Sequence, residues 1–257
     1  MRFDVITLLP ELFAPFLEAG VARRAFADGL IDLKLWNPRE FAEGNYRRVD
    51  DRPFGGGPGM VMLAEPLSRC LQAVRADRAD APGQAAPVVL FSPVGEVLHH
   101  AAVERWAASP GAILICGRYE GIDQRFIDAH VDAQISLGDF VLSGGEIAAL
   151  ALLDAVARLQ PGVLHDAGSH QADSFNPAVD GLLDCPHYTR PEEWCGQRVP
   201  AELLSGHHAQ IERWRRDRRL ELTAQHRPDL IAAARADGLL STPDEQLLAR
   251  LTEAGAP

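Results

Sequence analysis

Residues 137–146 read LGDFVLSGGE, and about one βα unit earlier residues 116–121 read CGRYEG. What such stretches offer a ligand is mainly main chain. Glycine has no Cβ, so amides and carbonyls can be approached closely and the backbone can take conformations closed to other residues. Residues 112–116 (AILIC) before the first stretch are continuously apolar, as in a strand covered on both faces, and 133–137 are a weaker successor. After Gly144-Gly145, residues 147–159 carry apolar side chains at helical spacing, with Glu146 in the first turn where the helix dipole favours a carboxylate. Two glycine-bearing loops therefore leave the same end of neighbouring strands, which in an open α/β sheet is where small ligands bind. The alternative is that these glycines only make turns.

The elements that must hold these loops alternate along the chain. Residues 2–9 predict a strand, and Pro10 opens a helix running towards Gly29 with Leu12, Phe13, Phe16 and Leu17 on one face. A second strand follows at 31–36. Residues 37–60 are rich in proline, glycine and charge and end in FGGGPGM, a loop long enough to be functional, with Arg47, Arg48, Asp50, Asp51 and Arg52 to present. Residues 65–78 predict a helix, 88–92 (VVLFS) a buried strand and 99–108 a short helix. This alternation predicts an α/β fold with a mostly parallel sheet. No GxGxxG follows the first strand and no GxxxxGK[ST] occurs, which disfavours the common dinucleotide fold and the P-loop. Between 161 and 181 the apolar period breaks down, predicting a mobile linker, and helical patterns at 200–225, 228–237 and 242–253 predict a small second domain. The expected division is thus 1–160, 161–180 and 181–257.

At 257 residues with 47% hydrophobic content the chain can build a packed core. The amino-terminal apolar run is interrupted by Asp4, Pro10 and Glu11 without a small-residue cleavage pattern, and no apolar run reaches the roughly 18 residues of a membrane span, so a cytoplasmic location is expected. Cys70, Cys116, Cys185 and Cys195 form no CxxC pair, which argues for reduced thiols, and the Cys185, His187, Cys195 spacing matches no common zinc pattern. A net charge of −11 sits awkwardly with nucleic-acid binding. Locally the balance reverses: Arg213, Arg215, Arg216, Arg218 and Arg219 surround Trp214, either a basic patch with an aromatic or a solvated helix face.

Five stretches, DDRPFGGGPGM (50–60), CGRYEG, LGDFVLSGGE, DAVARLQPGVL (154–164) and GLLDCPHYTRPEEW (181–194), stand in the order in which they occur in the bacterial tRNA (guanine-N1)-methyltransferases of the TrmD family, and the chain resembles that family from Phe3 to beyond Trp214. The resemblance implies a deep trefoil knot of the SPOUT type, with a small all-helical C-terminal domain. It implies S-adenosylmethionine as cofactor, described with magnesium, and tRNA as partner, with neither DNA nor a membrane. It further implies a homodimer with the active site at the subunit interface. Its methyl group would go to N1 of the guanine 3′ of the anticodon. Asp173 matches the family's general base and Arg158 the arginine assigned to guanine O6. Cofactor contacts are implied for Pro93, Gly117, Tyr119, Leu137, Gly138, Asp139, Phe140, Val141, Leu142, Gly144 and Gly145, with Glu120 a carboxylate beside them that could face cofactor or metal. The arginines of 213–219 are the implied RNA contacts. Phe140 stands where the family commonly has tyrosine, and Ala148 where it often has proline. His187 and Tyr188 could stack on a base or pack within the fold. Two other readings compete: a SPOUT enzyme modifying ribose or another base, and a non-catalytic RNA-binding module.

Overall fold

The computed structural model describes residues 1–79, 86–165, 169–253 and 255; the centre of the expected linker, 166–168, lies outside them. The chain forms two compact units, Met1–His165 and Asp166–Pro257.

The first unit is built on a five-stranded sheet. Strand β1 (Arg2–Ile6) is followed by a 3-10 turn at Pro10–Leu12 and two short helices, α1 (Ala14–Glu18) and α2 (Arg23–Ala27). The single helix expected here is broken because Ala19 turns extended and Gly20 takes φ +71°, a left-handed conformation that glycine adopts without steric penalty. After β2 (Asp32–Trp36), the long loop carries a two-residue hairpin, β3 (Asp50–Asp51) with β4 (Val61–Met62). Then come α3 (Ala64–Ala79), β5 (Val88–Val97), α4 (His100–Ala107), β6 (Gly111–Ile115), α5 (Gln124–His130), β7 (Ala133–Ser136) and α6 (Glu146–Arg158). The sheet order is β2-β1-β6-β5-β7, and every pairing is parallel. Alternation along β6 fills both faces: Ala112, Leu114 and Cys116 pack with the α4 and α6 side, while Ile113 and Ile115 pack with α3 and α5. That is why the strand reads as an unbroken apolar run. Beyond Phe91 the register of β5 shifts, so that Ile135 is paired with both Phe91 and Glu96. Gly95 makes this possible, because a Cβ there would overlap the backbone of Gln134 and Ile135.

The second unit begins with two 3-10 turns, Ser169–Ala172 and Pro177–Val179, and the antiparallel pair β8 (Glu193–Trp194) and β9 (Gln197–Arg198), turned by Cys195 and Gly196, both at positive φ. Helices α7 (Ala201–Leu204), α8 (His208–His226), α9 (Pro228–Ala236) and α10 (Thr242–Glu253) follow. Leu182, Leu220, Ile231, Ala234, Leu247 and Leu248 form its core. Among the described residues no helix is long and apolar enough to cross a membrane.

Asp244 is the polar pin of this unit. It exchanges hydrogen bonds with Ser241 across the start of α10, its carboxylate accepting from the Ser241 N–H (3.0 Å) and hydroxyl (2.8 Å), and it also accepts from Arg216 (3.1 Å) and Arg213 (3.2 Å). Burial pushes its pKa upward, but the bonds from Arg216 and Ser241 outweigh that and hold it below the ordinary carboxylate value. A carboxylate with a depressed folded pKa adds stability above its unfolded pKa of about 3.9 and loses it as the pH falls through the folded value. Asp244→Asn should therefore lower the melting temperature at pH 7, and the gap to wild type should close as the pH falls below about 4. Circular-dichroism melts of the full chain from pH 7 to 3 measure this; a gap independent of pH would remove the charge from the account.

Candidate functional site

At the carboxyl ends of β6 and β7, and beside the middle of β5 where its register shifts, the first unit has a cleft of about 250 Å³, close to the lower end of the roughly 300–1,000 Å³ range of small-molecule sites. Leu90, Ile135, Leu137 and Ala148 give it an apolar floor; Ser92, Ser136, Arg118 and Glu120 bring polar groups. The walls are the two glycine loops, and they are joined to each other. Gly145 N–H donates to the Gly117 carbonyl at 3.0 Å, and Arg118 and Gly144 form an isolated antiparallel bridge. Gly145 is required by space against the backbone, whereas Gly144 leaves room for two side chains. A Cβ on Gly145 would stand 2.8 Å from Cys116 Cα, and one on Gly144 would stand 2.5 Å from Arg118 Nε and Glu146 Oε2. Gly145 then caps α6, accepting from Ala149 N–H at 2.9 Å.

Beneath the loops lies a polar knot of side chains. The buried Glu146 carboxylate accepts from Thr7 Oγ1 (2.8 Å) and from Arg118 Nε (3.0 and 3.1 Å), and pairs with Arg118 Nη2 (3.0 Å). Nearby, Cys116 is wholly buried, and that burial, with the Glu146 charge adding to it, pushes its thiol pKa well up. Cys116 is therefore a core thiol and no nucleophile. The far side of the 116–121 loop is braced by the long loop: Glu120 N–H donates to the Met60 carbonyl (3.0 Å), Met62 N–H to the Gly121 carbonyl (2.9 Å) and Asp123 N–H to the Met62 carbonyl (3.0 Å). Tyr119 holds φ +61° at the cleft rim, and Phe140, Val141 and Leu142 are exposed along the other wall.

The family model of tRNA (guanine-1)-methyltransferase TrmD matches residues 1–233. The chain is 74% identical over 251 residues to a tRNA (guanine-N(1)-)-methyltransferase of Paracidovorax citrulli, covering 98% of each chain, and 71% identical over 253 residues to one of Polaromonas sp., again covering 98% of each. A protein of the same name from Bordetella parapertussis is 58% identical over 251 residues, with the same coverage of both chains. The chain belongs to the TrmD family. Of the residues that TrmD resemblance marks for cofactor, the cleft gathers Pro93, Gly117, Tyr119, Leu137, Phe140, Val141, Leu142, Gly144 and Gly145, together with Glu120; Gly138 and Asp139 belong to the same loop but not to its lining. Sequence reasoning overlooked Arg118 and Thr7, and Glu146 was noticed only for its place on a helix. Their partners lie 28 and 139 residues apart, a distance no local pattern spans.

The remaining TrmD candidates lie elsewhere. Arg158 is the last residue of α6, half-buried. Asp173 is half-buried in the second unit, where its N–H donates to the His170 carbonyl (3.3 Å) and its carbonyl accepts from Asn176 N–H (3.2 Å). The arginines of α8 are engaged in ion pairs: Arg213 with Asp217 (2.5 Å), Arg215 with Glu212 (2.6 Å), Arg216 with Asp180 (2.6 Å), Arg218 with Glu221 (2.6 Å) and Arg219 with Asp184 (3.4 Å). Arg216 and Arg219 are the more buried, at 20% and 12% side-chain exposure, so their guanidiniums serve the fold; Arg213, Arg215 and Arg218 present more surface. His187 Nε2 donates to the Asp184 carboxylate at 2.9 Å, and Tyr188 meets the Trp214 ring edge-on at 6.0 Å. Among the described residues no group of three or more His, Cys, Asp or Glu could hold a metal ion.

Proposed function

We propose that the chain transfers a methyl group from S-adenosylmethionine to N1 of the guanine at position 37 of tRNA, immediately 3′ of the anticodon, as its family membership supports. The observation that carries the reading is the cleft itself. It is walled by two mutually bonded glycine loops at the strand ends, with an apolar floor and a backbone-rich rim, which suits a cofactor that has an adenine ring and a charged amino-acid tail. When bound, that cofactor supplies an electrophilic methyl group. The chain must then do two things. Guanine N1 carries a proton that a base has to remove, and as it leaves, negative charge spreads onto O6. Asp173 is assigned the proton, and Arg158 the developing charge at O6. The α8 arginines are assigned to RNA phosphates, for which Arg213, Arg215 and Arg218 have the most exposed guanidiniums.

The reading includes a homodimer with the site at its interface, supported by the exposed apolar side chains of Phe140, Val141 and Ile147 around the cleft. It carries the trefoil knot that the family resemblance implies. It also carries the division into a cofactor domain, a linker at 161–180 and a tRNA-binding domain, and a cytoplasmic location. Glu120 brings a single carboxylate, which does not make a magnesium site by itself. The test is methyl transfer from labelled S-adenosylmethionine to a tRNA transcript with guanine at position 37. Label should enter that transcript and not one with adenine there; label entering both, or a ribose, would overturn the reading.

A further inference from the structure

We propose that the Arg118–Glu146 ion pair, closed by the Thr7 hydroxyl, is a positioning device that sets the spacing of the two cofactor loops, and that affinity for S-adenosylmethionine depends on it. This rests on the cofactor reading above. A guanidinium carried by one wall grips the other: Arg118, of the 116–121 loop, holds Glu146 with its Nε and Nη2, while its Nη1 reaches the Ser143 carbonyl at 3.4 Å. The Arg118 N–H meanwhile faces Met62 Sδ at 3.2 Å, tying the same residue to the brace from the long loop. Glu146 completes the arrangement by accepting from Thr7, just past the end of β1, whose hydroxyl also accepts from Leu9 N–H at 3.0 Å. Three segments distant in sequence thus meet at one carboxylate.

Stability alone is a weak reason for such a pair, because replacing a buried ion pair by apolar groups of similar volume is often neutral or stabilising. Geometry is a better one. The guanidinium is planar and its donors point in fixed directions, so it can hold a carboxylate and a carbonyl at a set separation, which the single ammonium of lysine cannot. Gly144 leaves the room for it, since a Cβ there would stand 2.5 Å from both Arg118 Nε and Glu146 Oε2. Glu146 sits in the first turn of α6, where the helix dipole favours its charge. The residues hung on this frame are the exposed Tyr119, Phe140 and Val141, which have little packing of their own to fix them.

Calorimetric titration of the full-length protein with S-adenosylmethionine, paired with thermal melts, tests the idea. Arg118→Lys and Thr7→Val should each weaken binding, Arg118→Lys by roughly 10- to 100-fold, the range seen when a supporting shell is disturbed. Thr7→Ser keeps the hydroxyl and should bind as wild type does. In the double variant Arg118→Met with Glu146→Leu no buried charge is stranded, so the melting temperature should return towards wild type while binding stays weak. Recovery of affinity together with melting temperature, or wild-type affinity in Arg118→Lys, would show that the pair only stabilises the fold. Failure of the wild-type protein to bind S-adenosylmethionine would instead overturn the cofactor reading, and this inference with it.

Discussion

Asp173→Ala is expected to slow methyl transfer at saturating tRNA by about 100-fold or more, the contribution of a positioned general base. The loss should fall on kcat, with affinity for S-adenosylmethionine unchanged, because proton removal belongs to the transition state and the cleft proposed for the cofactor is lined by residues of the first unit. The fold around Asp173 does not depend on that carboxylate alone. Asn176, buried, donates from Nδ2 to the His170 carbonyl at 3.0 Å and accepts from Ala178 N–H at 2.8 Å, while Ser174 Oγ accepts from Asp184 N–H at 2.9 Å. The turn thus has its own supports, and a rate loss should come without a matching loss of melting temperature. Arg158→Ala is the companion experiment. Removing a donor from a developing oxyanion typically lowers kcat by about 100- to 1,000-fold. Single-turnover assays on both variants decide the assignment: a variant within about 10-fold of wild type is not doing the work of a base or an oxyanion donor.

The elements that wall the cleft are legible in the sequence, and the parts that are not share one physical property. Residues 112–116 announced a buried parallel strand because both faces of β6 are covered, and Gly144-Gly145 before a helical period announced a strand-end loop. Both signals are local in sequence. The Thr7–Glu146–Arg118 network is not, and nothing about a threonine after a strand marks it as a partner for a residue 139 positions later. Charge was legible in kind but not in use. The α8 arginines were visible as a cluster, whereas their carboxylate partners at Asp180, Asp184 and Asp244 come from two other segments, so a basic run in sequence becomes a largely neutralised helix in space. Gly20 and Gly206 were each passed over as interruptions of a single helix; both take left-handed φ, +71° and +68°, and split it in two.

The same blindness to distance hid Asp4, whose replacement by alanine is expected to lower the melting temperature by about 6–20 °C. That figure combines roughly 3–5 kcal/mol for removing one partner of a buried ionic cluster with about 2–4 °C per kcal/mol for a chain of this size. Asp4 lies within β1 between Phe3 and Val5 and is completely buried, yet it was read only as an interruption of an apolar run. Its carboxylate accepts from Arg2 Nε (3.0 Å) and Nη2 (2.8 Å), from Arg78 Nε (2.6 Å) and from the Trp36 indole N–H (2.8 Å). Arg78 in turn donates to the carbonyls of Arg2 (2.8 Å) and Ala112 (3.1 Å), joining the end of α3 to β1 and β6. An arginine guanidinium is effectively always protonated, so removing the carboxylate removes an anion without removing a cation. Alanine would leave the Arg78 guanidinium, 9% exposed, without its carboxylate, beside Arg2, 16% exposed, which keeps only its more exposed partner Asp77. The exposed end of the same cluster is the control. Lys34 and Asp77 meet at 2.7 Å but are 43% and 36% exposed, and Lys34→Ala should change stability by less than about 1 kcal/mol. Adding Arg78→Met to Asp4→Ala should recover part of the loss, since the penalty comes from stranded charge rather than from a missing contact. If Asp4→Ala and Lys34→Ala melt alike, burial of the Asp4 carboxylate carries no energetic weight.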